Sequence, residues 1–401
     1  MLEVVIIGGG IVGLSVGLAL TERFPDKKVV ILEKENSVSK HQTGNNSGVI
    51  HSGIYYKPGS FKARFAKQGS QSMVAFCEEH GIEYDICGKV IVATEQHELP
   101  LLKDLYERGL QNELEIEMLN AEQLKEIEPH VAGLAAIRVP QAGIVNYQQV
   151  SEKIRELIEE NGGEIRCGVE VKSIDEHNNG VTIETSKGTV EAKVMINCAG
   201  LQSDRIAKMT GYSADLKIVP FRGEYYKLKE SSRSLVNHLI YPVPNPDFPF
   251  LGVHYTRMIG GEVEAGPNAV LSFKREGYKK TDINLFDIAE TLTYKGFWKL
   301  AGKNMKEGLN EMARSYSKGL FVKSLQKLIP EIQADDLEPG GAGVRAQALK
   351  SDGSMVDDFY FIPGKRSIHV LNAPSPAATA SLEIGKEIVA RFEKKFETVY
   401  S

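Results

Sequence analysis

Cysteine, tryptophan and long apolar runs are all scarce in this chain. Its 401 residues hold four cysteines (Cys77, Cys87, Cys167 and Cys198) and one tryptophan. No two cysteines stand in C-x-x-C spacing and none is grouped with histidine, so neither a disulfide framework nor a metal centre is expected. The thiols are expected to be buried and reduced. No apolar run approaches the roughly 18 residues of a membrane span. The first apolar segment begins at Leu2, leaving no room for a secretion signal, so a cytoplasmic location is expected. A large excess of one charge sign is also missing: the net charge is -5 with 25% charged residues. That balance argues against nucleic acid as the main partner. Internal repeats and low-complexity tracts are absent.

What is present is an ordinary globular composition, 42% hydrophobic, in a chain long enough for two or three domains. Leu2 to Ile7 is a β-branched apolar run that reads as a buried parallel strand. A glycine cluster, a small-residue helix from Ile11 to Thr21 and a second apolar strand from Val29 to Leu32 complete one βαβ unit. Helices are expected over Gln68–Gly81, Leu99–Asn112 and Ser151–Asn161. Strands are expected at 90–94, 164–166, 169–174, 181–185 and 194–198, with Asn178-Asn179-Gly180 as a hairpin turn. Residues 215–280 are rich in aromatic and β-branched residues and suggest a twisted antiparallel sheet. Residues 282–330 read as helical and basic, with ten Lys/Arg against five acids between 279 and 327. His369 to Leu371 is a last core strand, and Ala377 to Lys394 a last helix. The fold class expected is α/β, with an α+β substrate part. A discontinuous Rossmann-type cofactor domain (1–80, 141–215 and 336–401) is interleaved with an antiparallel-sheet substrate domain (81–140 and 216–335), which carries the basic helical insertion 282–330.

Gly8-Gly9-Gly10-Ile11-Val12-Gly13 fits the dinucleotide fingerprint G-x-G-x-x-G. Gly8 permits the tight turn, Gly10 the close approach of backbone to a pyrophosphate, and Gly13 the packing of helix on sheet. The helix start adds unpaired N–H groups and positive partial charge. Glu33 ends the second strand, 20 residues after Gly13, where a carboxylate can accept both ribose hydroxyls. Asn197-Cys198-Ala199-Gly200 follows another buried strand and is placed to return near the cofactor. Pro374-Ser375-Pro376-Ala377-Ala378-Thr379 precedes the final helix, whose start is expected to direct N–H donors at a flavin ring. Gly340-Gly341-Ala342-Gly343 lacks the spacing of a second fingerprint. The substrate rather than a nicotinamide is then the expected hydride donor.

From His41 to Tyr56 (HQTGNNSGVIHSGIYY), with the fingerprint and Pro220-Phe221-Arg222-Gly223-Glu224-Tyr225-Tyr226, the chain resembles the D-amino-acid-oxidase-like FAD-dependent oxidoreductase superfamily. Within it the chain is similar to the L-2-hydroxyglutarate oxidase/dehydrogenase family. Leu251 to Arg257 and Gly343 to Gln347 extend the likeness over nearly the whole length. The resemblance implies FAD, and oxidation of L-2-hydroxyglutarate to 2-oxoglutarate with electrons passed on to quinone or oxygen. It adds Lys34, Thr43, Asn46, Ser47, Gly48 and Val171 to the expected cofactor contacts. Asn45 stands where relatives commonly carry histidine. Asparagine cannot link covalently to a flavin, so the FAD is expected to be non-covalent; His41 and His51 are the alternative points of attachment.

Oxidising a 2-hydroxy acid requires a base for the hydroxyl proton, and cations for the carboxylates. His254 is the expected base, with His51 as its support or alternate. Arg345 is the first choice for a carboxylate, then Arg257 and Arg222, with Tyr56 and Ser375 as further substrate contacts. Tyr55 is a weaker candidate. The alternatives are a flavin oxidase of an amino acid, a secondary amine or glycerol 3-phosphate, and a non-catalytic flavoprotein. The basic residues of 279–327 interleave with aromatic and aliphatic ones. The segment therefore reads either as an insertion packed on its own domain or as a surface docking on the inner face of the cell membrane.

Overall fold

Val4, Val5 and Ile6 have no exposed surface, as a β-branched run buried on both faces requires. Their strand, Leu2–Ile7, lies between Val29–Leu32 and Gly188–Asn197 and pairs in parallel with both. Glu164–Arg166 continues the parallel sheet beyond Val29–Leu32, and Ser367–Asn372 pairs in parallel with the end of Gly188–Asn197. A hairpin of Val171–His177 and Gly180–Thr185 pairs along the start of Gly188–Asn197. The helices Ile11–Arg23, Tyr147–Glu160 and Ser381–Tyr400 cover one face, burying Leu14, Ile154, Ile158, Ile384 and Phe392 among the strand residues. The structure, a computed structural model, describes residues 2–212, 215–245 and 251–400.

The second sheet has nine strands. Its spine is Leu216–Leu228, paired along its length with Leu337–Lys350 in antiparallel register. Val263–Gly266, His254–Arg257, Leu239–Pro242, Lys89–Ala93, Ala135–Val139 and Glu117–Asn120 follow in order. The expected sheet over 215–280 is therefore present, but it also recruits strands from 89–139. The domain boundary expected at 336 is corrected: Leu337–Lys350 belongs to the second sheet, because its twelve paired positions lie opposite Leu216–Leu228. A small third sheet joins Val49–Ile50, Gly143–Val145 and Tyr84–Asp85.

Residues 285–325 form four helices, Leu285–Leu292, Lys295–Lys303, Met305–Tyr316 and Lys318–Leu325. Phe321, Val322, Leu325 and Leu328 bury themselves against the second sheet. Asp287 and Glu290 reach back to Arg205 and Arg275, and Arg275 also pairs with Asp204, which ties the insertion to the cofactor side.

Three helix starts differ from expectation by four residues or more. The helix expected from Ser151 begins at Tyr147, because Asn146 caps it by accepting from Gln148 N. The helix expected from Gln68 begins at Phe61, because Ser60 caps it by accepting from Ala63 N. The helix expected from Ala377 begins at Ser381. Between them Ala377 N donates to Pro374 O and Ala380 N to Pro376 O, so the two prolines hold a series of turns.

Candidate active site

The parallel strands all end on one edge, and the chain leaves four of them, all but Glu164–Arg166, into the same cavity of about 610 Å3. Gly8 follows the first strand, Glu33 the second, Cys198 to Gly200 the third, and Ala373 to Thr379 the last; all of these line it. A ligand site at the carboxyl ends of parallel strands is the rule for open α/β sheets. Gly8 has φ 109°, and a Cβ there would stand 2.5 Å from Cys198 O, so no other residue fits the turn. Glu33 is buried, and its carboxylate is oriented by Gly9 N at 2.7 Å and Glu35 N at 2.9 Å. Thr43 Oγ1 accepts from Ile11 N at 3.0 Å, so the 41–48 loop caps the helix start while lining the cavity. Gly10, Ile11, Val12, Asn46 and Ser47 line it as well. A glycine turn, a helix start and an oriented acid fit the pyrophosphate and ribose of a dinucleotide.

Four residues expected to touch the cofactor lie off the cavity wall. Gly13 serves packing, since a Cβ there would meet Gly8 O. Lys34 pairs with Glu276. Gly48 makes a turn at φ 65°, its N–H donating to Asn46 Oδ1. Val171 packs against the apolar layer beneath the sheet. Nearby, Glu35, His41 and Glu276 gather around Lys34, whose ammonium supplies the counter-charge a cation would bring. Asn45 points back into its own loop, donating to Lys40 O and His41 O.

The far wall comes from the second sheet and the 49–56 segment. His254 begins its strand, 5% exposed, with Nδ1 2.8 Å from Gly252 O and its ring stacked on Tyr241 at 3.9 Å. The carbonyl can only accept, so Nδ1 carries the proton and Nε2 is the basic nitrogen. Burial pushes His254 down to about 3; the bond to Gly252 O acts the other way, and Arg345 and Lys89 add to the fall. His51 also falls to about 3 by burial, helped by Lys89 and His254, and its Nε2 lies 3.5 Å from Ser375 Oγ. Both imidazoles are thus neutral at ordinary pH. Thr379 knits this wall to the C-terminal turns: its hydroxyl receives His51 N at 3.1 Å and lies 2.9 Å from the Tyr147 hydroxyl.

Arg345 lines the cavity, on the same face as Gly223, Tyr225 and Gly343. Arg222 and Arg257, expected beside it, are corrections. Side chains alternate along a strand, so Arg222 turns to the opposite face from Gly223. There it is buried against Glu224 at 2.9 Å and donates to Lys279 O. Arg257 likewise points away from His254, toward Asn237 O at 2.8 Å and Asp85 at 3.8 Å. The cavity instead gains Lys62 and Arg108, which sequence reasoning missed along with Tyr147, Tyr225 and Tyr241. The aromatic run of 221–226 is a signal that could have pointed to Tyr225; Lys62 and Arg108 sit on helices with nothing in the pattern to mark them.

The model of the FAD dependent oxidoreductase family matches residues 3–391. The chain belongs to that family. It is 54% identical to an L-2-hydroxyglutarate dehydrogenase of Indibacter alkaliphilus, over 98% of this chain and 99% of that one. It is 47% identical to the Escherichia coli K12 protein of that name (98% and 93% covered) and 46% to the human mitochondrial one (98% and 89%). Among solved structures, an FAD-bound L-alpha-glycerophosphate oxidase from Mycoplasma pneumoniae superposes with a TM-score of 0.79 at 21% identity, covering 97% of this chain and 94% of that one. A glycine oxidase from Geobacillus kaustophilus does so at 0.73 and 18%, covering 98% and 95%. These two share the fold. The cofactor is FAD, and the glycine turn and Glu33 are the residues that fit it.

Proposed function

We propose that the chain oxidises L-2-hydroxyglutarate to 2-oxoglutarate. The observation that carries this reading is the pairing of a buried neutral imidazole, His254, with Arg345 on one cavity wall, in a chain whose relatives at 46–54% identity bear that activity in their names. Nε2 of His254 takes the hydroxyl proton, because Nδ1 is committed to Gly252 O. Arg345 holds one carboxylate through its planar fork, and Lys62 and Arg108 provide for the other. His51, with Ser375 and Tyr56, closes the wall around the reacting carbon. FAD, when bound, accepts the hydride. The same reading assigns the cofactor part to residues 1–80, 141–215 and the chain after Lys350, and the substrate part to 81–140 and 216–350. Anaerobic mixing with L-2-hydroxyglutarate should bleach the flavin. Bleaching by an amino acid, a secondary amine or glycerol 3-phosphate instead overturns the reading. Asn45 is bonded into its own loop and offers no covalent attachment, so acid should release intact FAD; flavin remaining on the precipitated chain overturns that part.

The electron acceptor is proposed to be quinone, reached by docking the helical insertion on the inner face of the cell membrane; oxygen is the alternative. Among the described residues no helix is long and apolar enough to cross a membrane. Docking draws support from the outer surface of the insertion. Leu285 (80%), Phe286 (63%), Met305 (63%), Leu309 (62%) and Tyr316 (72%) are exposed beside exposed Lys295, Lys299, Lys303 and Lys306. Asp287 and Glu290 turn inward to Arg205 and Arg275, leaving that surface more basic. Apolar side chains interleaved with lysines suit an anionic interface. Flotation with anionic liposomes at low salt, lost at high salt, tests this; no flotation leaves a soluble oxidase.

A further inference from the structure

Lys89 stands where the strand pattern calls for an apolar side chain. It opens the strand Lys89–Ala93, and its alternates Ile91 and Ala93 enter an apolar layer with Ile137, Val139, Leu239 and Tyr241. Lys89 is 1% exposed. Its Nζ lies 4.7 Å from the ring centre of Tyr55 and 4.9 Å from that of Tyr241. Among the described residues it has no carboxylate partner, and burial alone pushes its amine down to about 7. An ammonium without a counter-ion in an apolar layer is costly to keep, and two ring faces offset only part of that cost.

Both rings belong to the cavity wall. Tyr241 is the ring on which His254 stacks, and the buried hydroxyl of Tyr55 has no hydrogen-bond partner among the described residues. The strands flanking Lys89 present Val139 and Leu239, which are apolar. The titratable groups facing it are Tyr55, Tyr241, His51 and His254, and both histidines feel its positive charge. Among the described residues the cluster therefore lacks a negative charge, on the wall where an anion would sit.

We propose that Lys89 is a positioning residue for the dicarboxylate: from behind the Tyr55–Tyr241 wall its ammonium supplies the positive charge that an anionic substrate completes. The proposal rests on the dicarboxylate reading above. Without the dicarboxylate the amine sheds its proton as pH rises through about 7. A bound dianion favours the ammonium, so binding above that pH draws one proton from solvent onto Nζ.

The test uses oxidised holoenzyme with 2-oxoglutarate as a ligand that cannot be oxidised further. Flavin absorbance reports binding, and calorimetry in buffers of different ionisation heat reports proton uptake. For the unsubstituted enzyme at about pH 8, uptake near one proton is expected, with Kd weakening about tenfold per pH unit there. Lys89→Met should bind more weakly at neutral pH, with a flat Kd above it and no uptake, while FAD content stays unchanged. Lys89→Arg keeps the charge at every pH and should bind without uptake, which separates a charge effect from a packing effect. Equal uptake in Lys89→Met, or a flat Kd in the unsubstituted enzyme, overturns the proposal. Failure of 2-oxoglutarate to bind the unsubstituted holoenzyme at any pH overturns the substrate reading, and this one with it.

Discussion

The two ends of the cavity are made of different material. At the glycine turn the chain presents mostly backbone: Gly8 in a conformation closed to other residues, the helix start at Ile11, and one carboxylate, Glu33. At the far wall it presents side chains carried on the second sheet, namely His254, Arg345, Tyr225 and Tyr241. A backbone site depends on chain path, since nearly every residue owns an N–H. A side-chain site depends on which face of a strand a residue occupies, and one substitution removes its chemistry. Changes at the first end should therefore move cofactor retention, and changes at the second should move rate and substrate affinity.

The largest effect is expected at the far wall. His254→Ala should slow flavin reduction by roughly 10²–10⁴-fold, the range for a lost general base. FAD content should stay near that of the unsubstituted protein. If stopped-flow shows His51→Ala to be the more damaging change, the two roles are reversed. The pH profile sharpens this. Because burial lowers His254 to about 3, the acid limb of kcat/KM in the free enzyme should fall well below the 6.5 of an ordinary histidine. A limb near 6.5 would place the base elsewhere. The sign for stability follows from the same shift. Keeping this imidazole neutral contributes stability that is present above pH 6.5 and lost as pH falls from there toward 3.

The glycine-turn end should answer in the other variable. Glu33→Ala removes a buried acceptor held by two backbone N–H groups. FAD should be retained roughly ten- to hundredfold less tightly, the scale of a hydrogen bond to a charged group. The rate of the fully reloaded enzyme should not change. Unchanged FAD affinity in a fluorescence titration would mean that the ribose does not sit at Glu33.

That end was also the easier one to read from sequence, for the same physical reason. The βαβ unit is local: strand, glycines, helix and acid fall within 33 residues, and each signal is a short-range one. The far wall is assembled from segments that are distant in sequence. Nothing local shows that Lys89–Ala93 pairs with Leu239–Pro242, or that Leu337–Lys350 pairs along Leu216–Leu228. His254 and Arg345 were reached through family likeness, and that likeness names segments, not strand faces. Arg222 and Arg257 lie in matching segments but on the wrong face. Lys89 escaped because a lysine at a strand start reads as a surface residue.

At the far wall, Arg345→Lys should raise KM for the dicarboxylate by about tenfold, because lysine lacks the planar two-point fork. Flavin reduction at saturating substrate should fall less. An unchanged KM would remove Arg345 from the pocket and pass the carboxylate to Lys62 and Arg108.

The smallest effect tests whether strand face, and not sequence neighbourhood, decides membership in the site. Arg257 is three residues from His254 and carries the same charge as Arg345, yet it points to the other side of the sheet. Its guanidinium is 35% exposed, and its ion pair with Asp85 spans 3.8 Å. Exposed pairs of this kind contribute about 0–1 kcal/mol. Arg257→Ala should therefore leave KM and the flavin-reduction rate within about twofold, the reach of a solvent-screened charge, and shift the melting midpoint by only a few degrees. Steady-state kinetics beside a melting curve checks both. A KM rise comparable to that of Arg345→Lys would mean that Arg257 does contact the substrate. The division of that strand into a cavity face with His254 and an outer face with Arg257 would then not hold in the working enzyme.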